Sequence, residues 1–156
     1  MSRDHYKKSE KYSKSLFSDK FDLLKNGIVA INDLQSYLNE LLLLDKEDVI
    51  YKLIEDSGLP KMKIYKRMGV DSHTISGWIN KLQPAIPSFE NIIKFCIVLN
   101  LAPEISKYLL KRYNYRFNDE VVNLFYKSLV ETHYNLPIQE INQLLKISNI
   151  QEWGND

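Results

Sequence analysis

Residues 60–82, PKMKIYKRMGVDSHTISGWINKL, decide how we expect this chain to fold. Pro60 suits the first turn of a helix, because the N–H that proline lacks has no partner within a helix at that position. Gly69 ends this helix and can take the positive φ that a tight turn needs. The stretch therefore predicts two short helices joined by a sharp turn.

The second of these helices begins after Asp71 or Ser72, either of which can cap it. Its apolar side is predicted to contain Ile75, Trp78, Ile79 and Leu82. If that side packs against the first helix, the opposite side is left facing outward. Helix pairs of this kind place the second helix in the major groove of DNA and the first across the backbone.

The stretch resembles the helix-turn-helix of the phage-repressor family, the Xre/Cro type. Family members have Gly-Val-Ser at the turn and Thr-Ile-Ser and Trp in the recognition helix, and this chain has Gly69-Val70-Asp71 and Thr74-Ile75-Ser76-Gly77-Trp78. The next loop and helix are matched by Pro87-Ser88-Phe89-Glu90-Asn91-Ile92. The resemblance covers about residues 47–112 and implies a lambda-repressor-like five-helix unit.

The resemblance also implies a set of contacts to double-stranded DNA. The groove-facing positions of the recognition helix are occupied by Ser72, His73, Thr74, Ser76 and Gly77. Positions near the DNA backbone are occupied by Lys61, Asn80 and Lys81. Lysine side chains and helix N-termini are both suited to phosphate.

The charge that supports this prediction is local. The whole chain has 21 basic and 20 acidic residues, a net charge of +1, which by itself gives no reason to expect nucleic-acid binding. Within residues 60–82, one acid, Asp71, stands against five cations, giving a local net of +4. The cations are Lys61, Lys63, Lys66, Arg67 and Lys81.

A second hypothesis stays open, because the groove-facing side has no Arg, Lys, Gln or Asn before Asn80. Few side chains there can make the paired hydrogen bonds that identify a base. The alternative is a protein-interaction module that keeps the helix-turn-helix fold without specific DNA binding, and its partner would be another protein.

The rest of the chain is predicted to flank this unit in an all-α, compact helical bundle. We divide the chain into a polar arm at residues 1–27, a flanking amphipathic helix at 28–46, the helix-turn-helix domain at 47–116 and a C-terminal helical extension at 117–156. No segment shows the period-two alternation of a strand.

Two flanking stretches resemble small clostridial-type Xre regulators, namely Tyr37–Leu42 and Leu136–Leu145. The leucine run Leu41–Leu44 is apolar on every side, so we expect it to be buried or to lie in a subunit interface. A homodimer would form through the region Leu38–Leu44 or through the C-terminal helices.

The sequence contains no pattern typical of an enzyme, and we expect no catalytic activity. Gly-rich phosphate loops, nucleophile elbows and metal-binding cysteine pairs are missing, and the three histidines are not at ligand spacing. We therefore expect no cofactor and no metal. A single cysteine, Cys96, and apolar runs well below about 18 residues favour a cytoplasmic protein without a membrane span.

Overall fold

The structure is a computed structural model that describes residues 33–156. The predicted arm at 1–27 and the beginning of the predicted helix at 28–46 lie outside the described residues. The described part contains eight helices and no strand, which confirms the all-α prediction. No helix in this part is long and apolar enough to cross a membrane.

The helices are numbered in chain order. α1 covers residues 33–42, α2 Lys46–Ser57, α3 Lys61–Met68, α4 Ser72–Trp78, α5 Phe89–Val98, α6 Pro103–Arg112, α7 Val121–Thr132 and α8 Ile138–Ile147.

Local sequence accounts for several of the helix ends. α2 stops at Gly58, which takes the left-handed conformation at φ +70°. The Ser88 hydroxyl caps α5 by accepting a hydrogen bond from the Asn91 N–H at 3.1 Å. Glycine and serine are residues that such helix ends favour. Pro60 and Pro137 immediately precede α3 and α8 rather than occupying their first helical positions.

The core is centred on α5, which packs against α3, α6 and α7. Six of its ten residues are buried: Ile92, Ile93, Phe95, Cys96, Ile97 and Val98. Because α7 also packs on this helix, the predicted C-terminal extension shares one core with the central helices.

The first helix is attached through a buried polar contact as well as through apolar packing. The Tyr37 hydroxyl donates to the Asp56 carboxylate at 2.7 Å, and Lys52 pairs with the same carboxylate at 3.0 Å.

α1 ends at residue 42, so residues 43–45 are a turn and not the end of the predicted helix. In the leucine run only Leu41 is buried, whereas Leu42 and Leu43 are exposed.

Candidate nucleic-acid interface

The turn between α3 and α4 is set by a glycine and an aspartate. Gly69 adopts φ +72°, and its N–H donates to the Tyr65 carbonyl at 2.9 Å. The Asp71 carboxylate then accepts hydrogen bonds from the N–H groups of His73 at 2.8 Å and Thr74 at 3.2 Å. These bonds satisfy two of the unpaired donors at the start of α4, so Asp71 rather than Ser72 is the cap.

Apolar contacts fix one side of this helix pair against the core. Ile64 and Met68 of α3 and Ile75 and Trp78 of α4 are buried. The Trp78 ring packs edge-on against Phe95 with 5.9 Å between centroids. The opposite side of α4 therefore faces solvent, as the sequence predicts.

The predicted groove-facing residues lie at the solvent-facing start and middle of α4. Ser72, His73 and Ser76 are exposed, and Thr74 is half-buried. The Ser76 hydroxyl donates to the His73 carbonyl at 3.1 Å, and the Thr74 hydroxyl lies 3.4 Å from the Asp71 carboxylate. Both hydroxyls are thus engaged locally within the helix.

Gly77 lies beneath the segment that follows α4. The Ala85 N–H donates to the Gly77 carbonyl at 2.9 Å, and a Cβ added to Gly77 would lie 3.3 Å from the Ala85 Cβ. The glycine therefore permits a close approach of the two backbones. This is a packing role that the sequence does not reveal.

The predicted extent of the helix pair to Leu82 is wrong at its end, because α4 finishes at Trp78. The Asn80 side chain accepts hydrogen bonds from the N–H groups of Leu82 at 3.0 Å and Gln83 at 3.2 Å, which closes a turn. Leu82 is 98% exposed and Ile86 is 80% exposed, so Leu82 does not belong to the apolar side of the helix. Pro84 and Pro87 prevent a return to helix here.

Lys81, which the family resemblance predicts to lie near the DNA backbone, has an acidic partner. The Lys81 ammonium lies 2.7 Å from the Asp48 carboxylate of α2. This hydrogen bond raises the pKa of Lys81 above its ordinary value.

The described C-terminal residues 153–156 pack onto the end of α3, a contact that the sequence did not predict. The N–H groups of Gly154 and Asn155 donate to the carbonyls of Arg67 at 2.9 Å and Lys66 at 3.0 Å. Asp156 then pairs with the Arg67 guanidinium at 2.5 Å. The pKa of Asp156 is lowered first by a hydrogen bond from Gln139 and then by the bond from Arg67.

The net charge around the helix pair is therefore lower in the structure than the count over residues 60–82 predicts. Asp48 and Asp156 join Asp71 beside the helix pair, so five cations face three carboxylates, a net of +2 instead of +4. Lys63 and Lys66 are exposed and form no ion pair within residues 33–156. Lys61 is also exposed, with its ammonium 6.0 Å from the centre of the Tyr51 ring.

No group of three or more His, Cys, Asp or Glu side chains that could hold a metal occurs in the described part of the chain.

Comparison of the chain with protein-family models, with curated proteins and with solved structures finds no match.

Proposed function

We propose that α3 and α4 form a helix-turn-helix that binds double-stranded DNA, and that the protein is a cytoplasmic transcriptional regulator of the kind its sequence resembles. The observation that carries the proposal is the solvent-facing side of α4. It begins at a capped N-terminus, bears Ser72, His73 and Ser76, and belongs to a helix that Trp78 anchors in the core.

α3 supplies the features expected of a helix that rests on the DNA backbone. Its N-terminus lacks a side-chain cap, and the Lys63 N–H donates to the Pro60 carbonyl at 3.0 Å, which leaves the N–H groups of Lys61 and Met62 to face a phosphate oxygen. Three exposed lysines, Lys61, Lys63 and Lys66, lie along this helix. Contacts of this type with DNA phosphates position a protein on the duplex without identifying a base sequence.

The recognition helix supplies little base-specific chemistry. Serine and threonine can each make single hydrogen bonds, and the hydroxyls of Thr74 and Ser76 also bond locally, to Asp71 and to the His73 carbonyl. We therefore propose that phosphate contacts provide most of the affinity and that specificity is modest. Binding to paired half-sites as a homodimer would compensate for a weak single site.

Exposed apolar side chains in two regions are candidates for the dimer surface. One region is Leu42 and Leu43 in the leucine run at the end of α1. The other is the C-terminal helices, where Val121 of α7 and Ile147 of α8 are each exposed. Sedimentation equilibrium of Leu43→Asp and Ile147→Asp variants decides between them, since only a charge in the true interface dissociates the dimer.

DNA binding is tested by fluorescence anisotropy with duplex fragments from the region upstream of the protein's own coding sequence, over a series of salt concentrations. We expect affinity to fall steeply with salt, because bound lysines displace counterions. Lys66→Glu should weaken binding to every fragment and reduce the slope of log K against log salt by about 1. Lys146→Glu makes the same charge change at an exposed position of α8 and should have little effect.

Asp71 allows a matched variant on the proposed interface itself. Asp71→Asn keeps a good helix cap but removes a negative charge beside the phosphate-facing side, so DNA binding should become tighter at unchanged stability. Absence of binding to all fragments at low salt, with the protein folded, would refute the proposal.

A protein-interaction module remains the second candidate, favoured by the exposure of Leu82 and Ile86 beside α4. If this is the function, Lys61→Glu and Thr74→Ala leave it intact, while Leu82→Asp or Ile86→Asp abolishes it. Loss of function in either of the first two variants would count against this candidate.

A further inference from the structure

A cavity of about 820 Å³ lies between α6, the connection that follows it and α7, on residues that the proposed DNA contacts do not use. We call it the α6–α7 cavity. Its volume is within the range of about 300–1,000 Å³ that is typical of small-molecule sites.

The walls of this cavity are strongly basic. They include Lys107 and Lys111 of α6, Arg116 of the connection and Lys127 of α7, against one carboxylate, Glu131. Glu131 pairs with Lys107 at 3.3 Å. Lys111, Arg116 and Lys127 are exposed and form no ion pair within residues 33–156, so their charges are available to an anion.

The cavity also has an apolar, aromatic surface provided by Leu110, Tyr115 and Phe117. Two of these residues are fixed by contacts outside the cavity. The Tyr115 hydroxyl donates to the Pro87 carbonyl at 2.5 Å. The rings of Tyr115 and Phe117 both pack edge-on against the Phe89 ring, with 5.6 Å between ring centroids in each pair. The surface is therefore preformed, which reduces the entropic cost of binding.

We propose that the α6–α7 cavity binds a small organic anion, a molecule with one acidic group on a flat apolar body. The apolar body would lie against Tyr115 and Phe117, and the acidic group would face Lys111, Arg116 and Lys127. Charge complementarity selects an anion, and the concave apolar surface distinguishes this site from a phosphate-backbone contact, which needs cations but no apolar floor.

The proposal is tested with anilinonaphthalene sulfonate, a fluorescent anion of this type, and with phenylnaphthylamine, its uncharged counterpart. We expect the sulfonate to bind the full chain at one site and more tightly than the uncharged probe. Lys111→Glu, Arg116→Glu and Lys127→Glu should each weaken it by about tenfold, because each replaces an attraction by a repulsion near the bound charge.

Lys146→Glu is the control, since it makes the same change at an exposed position outside the cavity, and the sulfonate affinity should not change. Circular dichroism establishes that each variant is folded. Equal binding of both probes, or equal weakening by Lys146→Glu, would overturn the proposal.

A titration with duplex DNA separates the cavity from the proposed regulator function. If Lys111→Glu weakens DNA binding and leaves the sulfonate affinity unchanged, these cations contact nucleic acid and the cavity proposal fails. If the sulfonate binds as expected while no DNA binds, the cavity proposal stands and the proposed function fails.

Discussion

Gly69 has two separate reasons to be a glycine. Its φ of +72° lies in the left-handed region, which side chains with a Cβ rarely adopt. In addition, a Cβ at this position would lie 3.0 Å from the Gly154 nitrogen. Gly58 has nearly the same φ, +70°, but a Cβ there would have no neighbour within 4 Å.

These two glycines make a matched test of the contact with residues 153–156. Gly58→Ala should cost about 1 kcal/mol of unfolding free energy, the cost of the left-handed backbone alone. Gly69→Ala should cost about 2 kcal/mol or more, because Gly154 must also move. Urea denaturation measures both, and equal costs would show that the packing of Gly154 contributes nothing.

At the scale of elements, α3 and α4 are positioned by their neighbours. Residues 153–156 cover the C-terminal carbonyls of α3, and a Cβ on Gly154 would lie 1.6 Å from the Lys66 carbonyl oxygen. Asn142 of α8 holds the same residues, since its side chain bonds the Trp153 N–H at 2.8 Å and the Gly154 carbonyl at 2.7 Å. α3, one of the two proposed DNA-binding helices, is therefore linked to α8 through residues 153–156.

The contact between Asp156 and α3 should depend on pH. Because the folded-state pKa of Asp156 is lowered from its ordinary 3.8, its contribution is present above pH 3.8 and is lost as the pH falls through the lower folded value. NMR titration of the Gly154 amide should show a midpoint below 3.8. Asp156→Asn should remove this titration, and a midpoint at or above the ordinary value would contradict the prediction.

At the scale of the whole molecule, the core leaves one thiol completely inaccessible. Cys96 is fully buried in α5, and burial raises its pKa to about 12. Cys96 lies within an apolar stretch of the sequence, and a free cysteine in such a stretch behaves as a small buried hydrophobic residue.

Cys96 therefore reports on global unfolding. Alkylation by iodoacetamide at about pH 8 should be much slower than that of glutathione in the same buffer, and urea should restore the rate of a free thiol. Because the folded pKa exceeds the ordinary 9.0, stability is unaffected by this group below pH 9 and falls as the pH rises toward 12. Native alkylation as fast as that of glutathione would refute the buried position.

Helix ends and core faces could be predicted because they depend on a few neighbouring residues. Gly58 and Gly69 end helices through backbone conformation, and Ser88 begins one through a side-chain bond to the third residue after it. Helical periodicity likewise identified Ile75 and Trp78 as buried, since their spacing places both on one face.

The sequence by itself thus determined the all-helical fold, the turn at Gly69–Asp71 and which side of α4 faces outward. Only the tertiary structure decided how much net positive charge surrounds residues 60–82, because Asp48 and Asp156 are distant in sequence and reach Lys81 and Arg67 through folding. It also decided the end of α4, where the turn at Asn80 and the packing of Ala85 on Gly77 prevail over a helical apolar pattern extending to Leu82. Local preferences act within a few residues, whereas charge pairing and close packing depend on which segments the core brings together.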